Sequence, residues 1–281
     1  MRGAEHYSAR GMGRVVVKLG GGLITDKSRL CTVHHDRLTA LALAIAEIRD
    51  LGLQVILVHG AGSFGHLRAR NWQLADGRKS NFAPEHPTTE CSSQDEAVQL
   101  VRKEMDTLNQ YVVAALAKVG ITCNIHSPRD WVEGTGAGFS GDVQLLCSDN
   151  EDVQVTFGDV VSVDGTREFG ILSGDDLAYR LATELPDVKA LVFALGDVAG
   201  LMDDKPDSSK VKLLSEWTPS DGFKGHHEKS IDVTGGIFLK VERAVAAAAR
   251  VPAVWFVDGR HTDRVVAAAC GGKPIGTRIR P

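Results

Sequence analysis

The sequence predicts an α/β protein, a three-layer αβα sandwich whose central sheet is mainly parallel. Short apolar segments typical of buried strands alternate with longer segments whose apolar residues recur at steps of three and four. Several of the short segments end in glycine-rich loops that lead toward a helix. This alternation is typical of parallel strands joined by crossover helices, which cover both faces of the sheet.

The first half of the chain establishes this alternation. Residues 15–17 and 53–58 are predicted strands, and a helix over residues 36–51 separates them. A long helix is predicted over residues 93–119, followed by a short strand over 121–125. The apolar stripe of the long helix indicates a face packed on the core.

Two segments depart from the pattern. Residues 71–91 are polar and include Pro84 and Pro87, which indicates a loop or a mobile excursion. Residues 153–163 alternate apolar and polar and lead to a turn at Asp164-Gly165, which predicts antiparallel strands or a hairpin.

The second half returns to alternating strands and helices. Ser173 and Asp176 have the spacing of a capping box at the start of a helix. The other elements predicted here are a strand over 188–195, a helix from Gly235-Gly236 to about 250, a strand over 253–257, a helix over 262–270 and an edge strand over 275–279.

Composition excludes several classes of protein. The formal net charge of −4 gives no reason to expect nucleic acid or an anionic membrane as a partner. Five cysteines without metal-ligand spacing argue against a disulfide framework or a zinc site, and favour a reducing, cytoplasmic location. Residues 1–13 lack the apolar segment of a secretory signal and are predicted to be a disordered leader.

Glycine-bearing loops at the ends of strands and the starts of helices are candidates for binding phosphate. Glycine lets backbone N–H groups approach phosphate oxygens closely, and helix N-termini add partial positive charge. The loops are Lys18-Leu19-Gly20-Gly21-Gly22, residues 60–66, Ser173-Gly174-Asp175 and Thr234-Gly235-Gly236.

Charged residues lie on or beside these loops. Lys18 ends the first strand, Lys27 lies nearby, and Lys240 follows the last glycine pair. Phosphoryl transfer needs positioning and neutralisation of spread negative charge, which lysines supply. His66 follows the second loop and is a candidate for contacting a phosphate. Asp175 is a candidate for orienting lysines, and helix capping is its structural alternative.

The second loop can also be interpreted as a dinucleotide-binding motif. Residues 60–65 match G-x-G-x-x-G after a strand, which would require an acidic residue about 20 positions later at the end of the next strand. Glu85 has the distance but lies in sequence that is not typical of a strand. Walker A and protein-kinase motifs are absent from the sequence.

Taken in order, these motifs resemble those of the isopentenyl phosphate kinases, members of the amino acid kinase superfamily. The resemblance covers about residues 14–280, and Gly22 and Ala61 depart from its usual serine and glycine. The matching segments are Lys18 to Lys27, His59 to His66, Gly158-Asp159-Val160-Val161, Ile171 to Asp176, Asp232 to Gly236 with Lys240, and Gly276-Thr277-Arg278-Ile279.

The resemblance implies an ATP-dependent kinase of isopentenyl phosphate or a similar small alkyl monophosphate, with Mg²⁺ carried by ATP. It implies a cytoplasmic homodimer, with an acceptor lobe over residues 14–180 and an ATP lobe over 181–281 that share one continuous sheet. Lys18, Lys27, His66, Asp175 and Lys240 are the implied catalytic residues.

Binding roles follow from the same resemblance. Besides Lys18 and Lys240, the residues expected at ATP are Gly20, Gly21, Gly22, Gly62, Asp197, Gly200, Gly235 and Gly236. Those expected at the acceptor are Ala61, Gly62, Gly65, His66 and Gly174. Fosfomycin-type phosphonate kinases share the catalytic set and stay open as an alternative, as does a non-catalytic nucleotide-binding protein of this fold.

Overall fold

A central sheet of eight strands organises the described residues of the computed structural model, which are 13–80, 82–84, 86, 90–148, 152–203, 212–221 and 236–281. The strands described, including two outside this sheet, are β1 (Arg14–Leu19), β2 (Gln54–His59), β3 (Cys123–Ile125), β4 (Val153–Phe157), β5 (Asp159–Val163), β6 (Glu168–Leu172), β7 (Val188–Leu195), β8 (Glu216–Trp217), β9 (Ala253–Asp258) and β10 (Gly276–Ile279).

The order across the sheet is β3-β4-β2-β1-β7-β9-β10-β8. Every neighbouring pair in it is parallel except β9 and β10, which are antiparallel. The two remaining strands, β5 and β6, form a separate antiparallel hairpin. The predicted mainly parallel sheet is therefore confirmed.

Helices cover both faces of this sheet. The α-helices described are α1 (Gly21–Ile24), α2 (His35–Asp50), α3 (His66–Asn71), α4 (Gln94–Ala117), α5 (Gly174–Glu184), α6 (Gly236–Ala248) and α7 (Thr262–Ala269). Val15 and Val17 pack into the core shared with α2, α4 and α7, whereas Val16 packs into the core shared with α5 and α6. Alternate side chains of one strand thus enter opposite layers, which gives the predicted αβα sandwich.

The antiparallel strands or hairpin predicted over residues 153–163, with a turn at Asp164-Gly165, are confirmed for residues 159–163 and wrong for residues 153–157. β5 pairs antiparallel with β6 across that turn, whereas β4 joins the central sheet in parallel beside β2. The division falls at Gly158, whose backbone N–H donates to the carbonyl of His59 at 3.1 Å. The chain leaves the sheet at this residue, so one alternating segment contributes to two different sheets.

The predicted edge strand at the C-terminus is also corrected. β10 pairs with β9 on one side and with the two-residue β8 on the other, so β8 lies at the edge. Two residues are too few to produce a periodic signal in the sequence.

The described residues of the polar segment after α3 form no α-helix or strand, as predicted, but several of them pack on the body of the protein. Trp72 and Leu74 are buried, and the ring of Phe82 lies 5.8 Å from that of Trp72. Gln94 Nε2, at the start of α4, donates to the carbonyl of Trp72 at 3.0 Å. These contacts fix the first part of the segment against α4.

The single sheet runs through both predicted lobes, because β1 pairs with β2 on one side and with β7 on the other. The assignment of residues 14–180 to the acceptor and 181–281 to ATP stays a prediction. Of the predicted leader, Gly13 is described and residues 1–12 lie outside the described part of the chain.

Candidate active site

The loops that follow β1, β2 and β7 open into one cavity of about 450 Å³. Parallel strands bring their carboxyl ends to the same edge of a sheet, so loops distant in sequence meet there. The lining includes Gly20, Gly21, Gly22, Lys27, residues 60–63, Gly65, His66, Ser173, Gly174, Gly196, Asp197, Val198, Gly236 and Ile237. The same cavity also contacts Lys18, Asp175 and Lys240.

Two glycines bring the first two loops into direct contact. A Cβ atom on Gly21 would lie 2.2 Å from the backbone nitrogen of Gly62, so no larger residue fits there without a shift. Gly62 has φ of +54°, and its own Cβ would collide with Thr25. Thr25 Oγ1 accepts from the N–H of Ser63 at 2.9 Å and donates to the carbonyl of Gly21 at 2.8 Å. The two loops therefore form one unit.

A buried carboxylate joins two of the three predicted lysines. Asp175 Oδ1 lies 2.7 Å from Lys18 Nζ, and Asp175 Oδ2 lies 3.0 Å from Lys240 Nζ. Burial alone would raise the pKa of Asp175, but the two ammonium groups outweigh it and lower the pKa to about 2. Asp175 is therefore ionised at neutral pH, and the three side chains together carry one net positive charge.

Local structure explains where Asp175 points. Ser173 is the N-cap of α5 and accepts from the N–H of Asp175 at 3.1 Å. The capping box predicted with Asp176 does not form, because the carboxylate of Asp176 accepts from Arg243 Nε of α6 at 2.5 Å. Two adjacent acidic residues thus tie α5 to β1 and α6, which places the lysines of β1 and α6 at one point.

The third lysine lies at the mouth of the cavity. Lys27 Nζ is 3.6 Å from Asp197 Oδ2, and both side chains are mostly exposed. The stem of Lys27 lies across Gly22, where a Cβ atom would come within 2.1 Å of Lys27 Cε. The glycine that replaces the usual serine therefore leaves room for this lysine to fold over the loop.

His66 lines the cavity from the first position of α3 and is partly buried. Behind it, Arg68 Nε donates to Glu104 Oε1 of α4 at 2.9 Å, and Arg68 Nη2 donates to Glu90 Oε2 at 2.6 Å. Asn71 Nδ2 donates to the carbonyl of His86 at 2.8 Å. This short helix is therefore held firmly at the side away from the cavity.

The neighbouring histidine of the same segment is structural. His59 is fully buried, its ring is stacked on Phe157 at 5.1 Å, and its Nε2 lies 3.2 Å from Asn109 Oδ1. Burial lowers its pKa to about 4, so the ring is neutral at physiological pH.

An apolar wall completes the cavity beside His66. It consists of Leu67, Ala69, Val101, Met105, Ile171 and Leu172. Val101 and Met105 belong to the apolar stripe of α4, which was predicted to face the core. Stripe periodicity does not separate residues that face a cavity from those that face other side chains, so this wall could not be predicted from the sequence.

Comparison with known proteins identifies the fold family. The model of the amino acid kinase family matches residues 13–258. The chain belongs to the amino acid kinase family. It is 30% identical over 254 residues to the isopentenyl phosphate kinase of Thermoplasma acidophilum, with 89% of this chain and 94% of that protein covered. It is also 30% identical over 277 residues to the isopentenyl phosphate kinase of Haloferax volcanii, with 96% and 99% covered.

Solved structures agree with this assignment. The crystal structure of the T. acidophilum isopentenyl phosphate kinase in a product complex has a TM-score of 0.73 and 25% sequence identity, and covers 95% of this chain and 100% of that chain. The predicted fold and the resemblance to isopentenyl phosphate kinases are thus confirmed. As a member of the amino acid kinase family, the chain is a phosphotransferase, and kinases of this family use ATP.

Most of the site residues predicted from the sequence lie together in the structure. All five implied catalytic residues border the cavity. Gly200 does not line it, because this residue packs against Thr277, whose Oγ1 a Cβ would approach to 2.5 Å. Gly235 and Glu85 lie outside the described residues. None of the described residues between 72 and 91 lines the cavity, so the segment predicted to be a loop or a mobile excursion contributes nothing to the lining there.

Two further structural observations bear on partners. No helix in the part of the chain described is both long and apolar enough to cross a membrane. Within the same residues, no group of three or more His, Cys, Asp or Glu side chains is placed to hold a metal ion.

The role of Asp175 in stability predicts a specific dependence on pH. Asp175→Asn should lower the free energy of unfolding near neutral pH by about 3–5 kcal/mol, since it leaves buried ammonium groups without their partner. The pKa of Asp175 is about 2 in the folded state, below the ordinary value of 3.8. Ionised Asp175 therefore stabilises the fold at pH values above 3.8, and this stabilisation is lost as pH falls toward the folded pKa. The difference between wild type and variant in urea unfolding should therefore shrink in that acidic range.

Asp76→Asn is the matched control, because Asp76 forms an exposed ion pair with Lys79. This variant should change the stability little. A loss for Asp175→Asn that is no larger than that of the control would contradict the assigned role.

Proposed function

We propose that this chain transfers the γ-phosphoryl group of ATP to isopentenyl phosphate or a similar small alkyl monophosphate. One observation carries the proposal: the Lys18–Asp175–Lys240 cluster and the His66 loop open into the same cavity, which has an apolar wall beside His66. A phosphate with a short apolar tail matches this combination. The two isopentenyl phosphate kinases named above, which match nearly the whole chain, support the same acceptor.

The buried cluster suits the triphosphate. Lys18 and Lys240 both contact the cavity, and Asp175 holds their positively charged ammonium groups in place. We assign these two lysines to the ATP phosphates, with the backbone of Gly20, Gly21 and Gly236 close by. Because Asp175 fixes both ammonium groups before ATP binds, little reorganisation is needed when negative charge shifts during transfer.

Lys27 is assigned to the phosphoryl group in transfer. Its exposed position at the mouth and its contact with Asp197 over 3.6 Å let it move onto that group. The attacking oxygen belongs to the acceptor phosphate, so one P–O bond forms as the bond between the γ-phosphorus and the ADP oxygen breaks. An acceptor monophosphate is largely a dianion at pH 7, because its second pKa is about 6. The step therefore needs no general base, and His66 serves to hold the acceptor phosphate.

Mg²⁺ is expected to arrive with ATP. Magnesium commonly binds phosphate oxygens, water and one or two carboxylates. Asp175 is occupied by two lysines, and Asp197 offers an exposed carboxylate at the mouth, so the residues present fit an ion held chiefly by the nucleotide. Such an ion would supply charge neutralisation to the phosphates of ATP.

The proposal extends to a cytoplasmic homodimer. All five cysteines are free thiols, which suits a reducing compartment. Leu43 of α2 and Tyr111 of α4 are large apolar side chains that are 56% and 41% exposed on the outer helices. Light scattering should give twice the chain mass of 30.1 kDa, and a single-chain mass at micromolar concentration would contradict the dimer.

The acceptor is tested by ADP release with MgATP and a panel of isopentenyl phosphate, dimethylallyl phosphate, fosfomycin, N-acetylglutamate and UMP. We expect turnover with the two prenyl phosphates alone. Lys18→Ala, which removes one partner of Asp175, controls for contaminating activity and should show almost no turnover. Turnover of fosfomycin in place of the prenyl phosphates would reject the proposed acceptor while keeping the family assignment.

The role of His66 is tested separately. His66→Ala should lower kcat/KM for the acceptor by about 10- to 100-fold, the effect of losing a hydrogen bond to a charged group, with KM for ATP nearly unchanged. His261→Ala is the matched control, since its ring is largely exposed and it does not line the cavity. Wild-type acceptor kinetics in His66→Ala would remove His66 from the acceptor site.

A further inference from the structure

A buried group of charges adjoins the apolar wall of the cavity, and one of its members, Asp159, belongs to the lining of the cavity. Asp159, the first residue of β5, has a fully buried side chain. Arg129 faces it from the 3₁₀ turn Pro128–Asp130, and Arg102 and Asp106 face it from α4. The function proposed above gives these four residues no role.

Contacts within this group connect α4 to β5 by two routes. Arg129 Nη1 lies 3.4 Å from Asp159 Oδ2, and Arg129 Nη2 donates to Asp106 Oδ1. Arg102 Nε donates to the carbonyl of Val160 at 3.0 Å. The separation of α4 and β5 is therefore set by two arginines with carboxylate or carbonyl partners.

The same two elements position the apolar wall. On α4, Val101 and Met105 are sequence neighbours of Arg102 and Asp106, and both line the cavity. On the other side, Leu172 of β6 is paired with Asp159, and Leu172 also lines the cavity. A change in the Arg129 bridge would shift one side of the wall relative to the other.

Ionised Asp159 is a cost to stability. Asp159 Oδ1 accepts from the N–H of Val160 at 2.8 Å, whereas Oδ2 has no hydrogen bond and faces Arg129. Burial outweighs the attraction of Arg129 and raises the pKa of Asp159 to about 6. Because the pKa of Asp159 is higher in the folded state, protonated Asp159 stabilises the fold at pH values below the unfolded pKa. This stabilisation is lost as pH rises through the folded pKa. At neutral pH the charge on Asp159 therefore opposes folding.

We propose that Asp159 is a positioning residue for the phosphoryl acceptor, which acts through Arg129 and Asp106 to hold α4 at the distance from β5 that the acceptor tail requires. This inference rests on the proposed function, because it assigns the apolar wall to that tail. For a purely structural role, removing the charge should lower the stability of the fold. For the proposed role, removing the charge should raise the stability and weaken acceptor binding.

Asp159→Asn tests this directly, because asparagine keeps the size of the side chain and the oxygen that accepts from Val160. We expect KM for isopentenyl phosphate to rise at least about fivefold at pH 7.5, with kcat and KM for ATP within about twofold of wild type. The melting temperature should stay equal or rise. Asp95→Asn is the matched control, as Asp95 lies on α4 in an exposed ion pair with Arg78 away from the cavity. It should leave KM for the acceptor unchanged.

The dependence on pH supplies a second readout. Between pH 7.5 and 5.5 the ratio of acceptor KM values, variant to wild type, should fall toward one, because wild-type Asp159 becomes protonated near pH 6. Titration of the acceptor phosphate cancels in this ratio. A ratio that differs from one but does not change with pH would overturn the role of the charge.

Asp106→Asn breaks the other end of the bridge and keeps the proposal testable if Asp159→Asn does not fold. It should also raise KM for the acceptor, and the double variant should show no further increase. A KM within twofold of wild type in both single variants, with an active wild-type enzyme, would overturn this inference alone. No turnover of prenyl phosphates by the wild type would instead overturn the proposed function and this inference with it.

Discussion

The contact of one carboxylate with two ammonium groups is the constraint on which the site depends. Asp175 lies in the first turn of α5, Lys18 is the penultimate residue of β1 and Lys240 lies in α6, so three separate elements converge on two oxygen atoms. None of these charges would be stable in the interior alone, because burying an isolated ion is costly. Together they place positive charge at the carboxyl edge of the sheet, beside the glycine-bearing loops that line the cavity.

This local positive charge contrasts with the net negative charge of the whole chain. The chain carries a formal net charge of −4, so its surface as a whole does not attract anionic substrates. Three lysines, Lys18, Lys27 and Lys240, contact one cavity, where partial removal of water strengthens the effect of their charge. Charge is thus used for positioning at the site, and long-range attraction has a smaller part.

Much of the fold could be predicted because the relevant signals are local. β1 and β7 are buried on both faces, and their sequences are nearly continuous apolar segments. Ser173 is a typical N-cap residue and marks the start of α5. Residues 153–157 show the limit of such local signals, because the break between β4 and β5 at Gly158 depends on the carbonyl of His59, which is distant in sequence. Individual site residues could be named from motifs and family resemblance, whereas the pairing of Asp176 with Arg243 and the apolar wall depend on tertiary packing.

The three lysines differ in how water reaches them, and this difference extends to dissolved ions. Lys18 and Lys240 meet Asp175 in a largely buried contact, which salt screens much less than an exposed one, so their arrangement depends little on ionic strength. The contact between Lys27 and Asp197 lies in solvent and weakens as salt rises, since the screening length is about 8 Å at physiological ionic strength. The resting position of the mobile lysine is thus set by the surrounding electrolyte, while the fixed pair keeps its geometry across the same conditions.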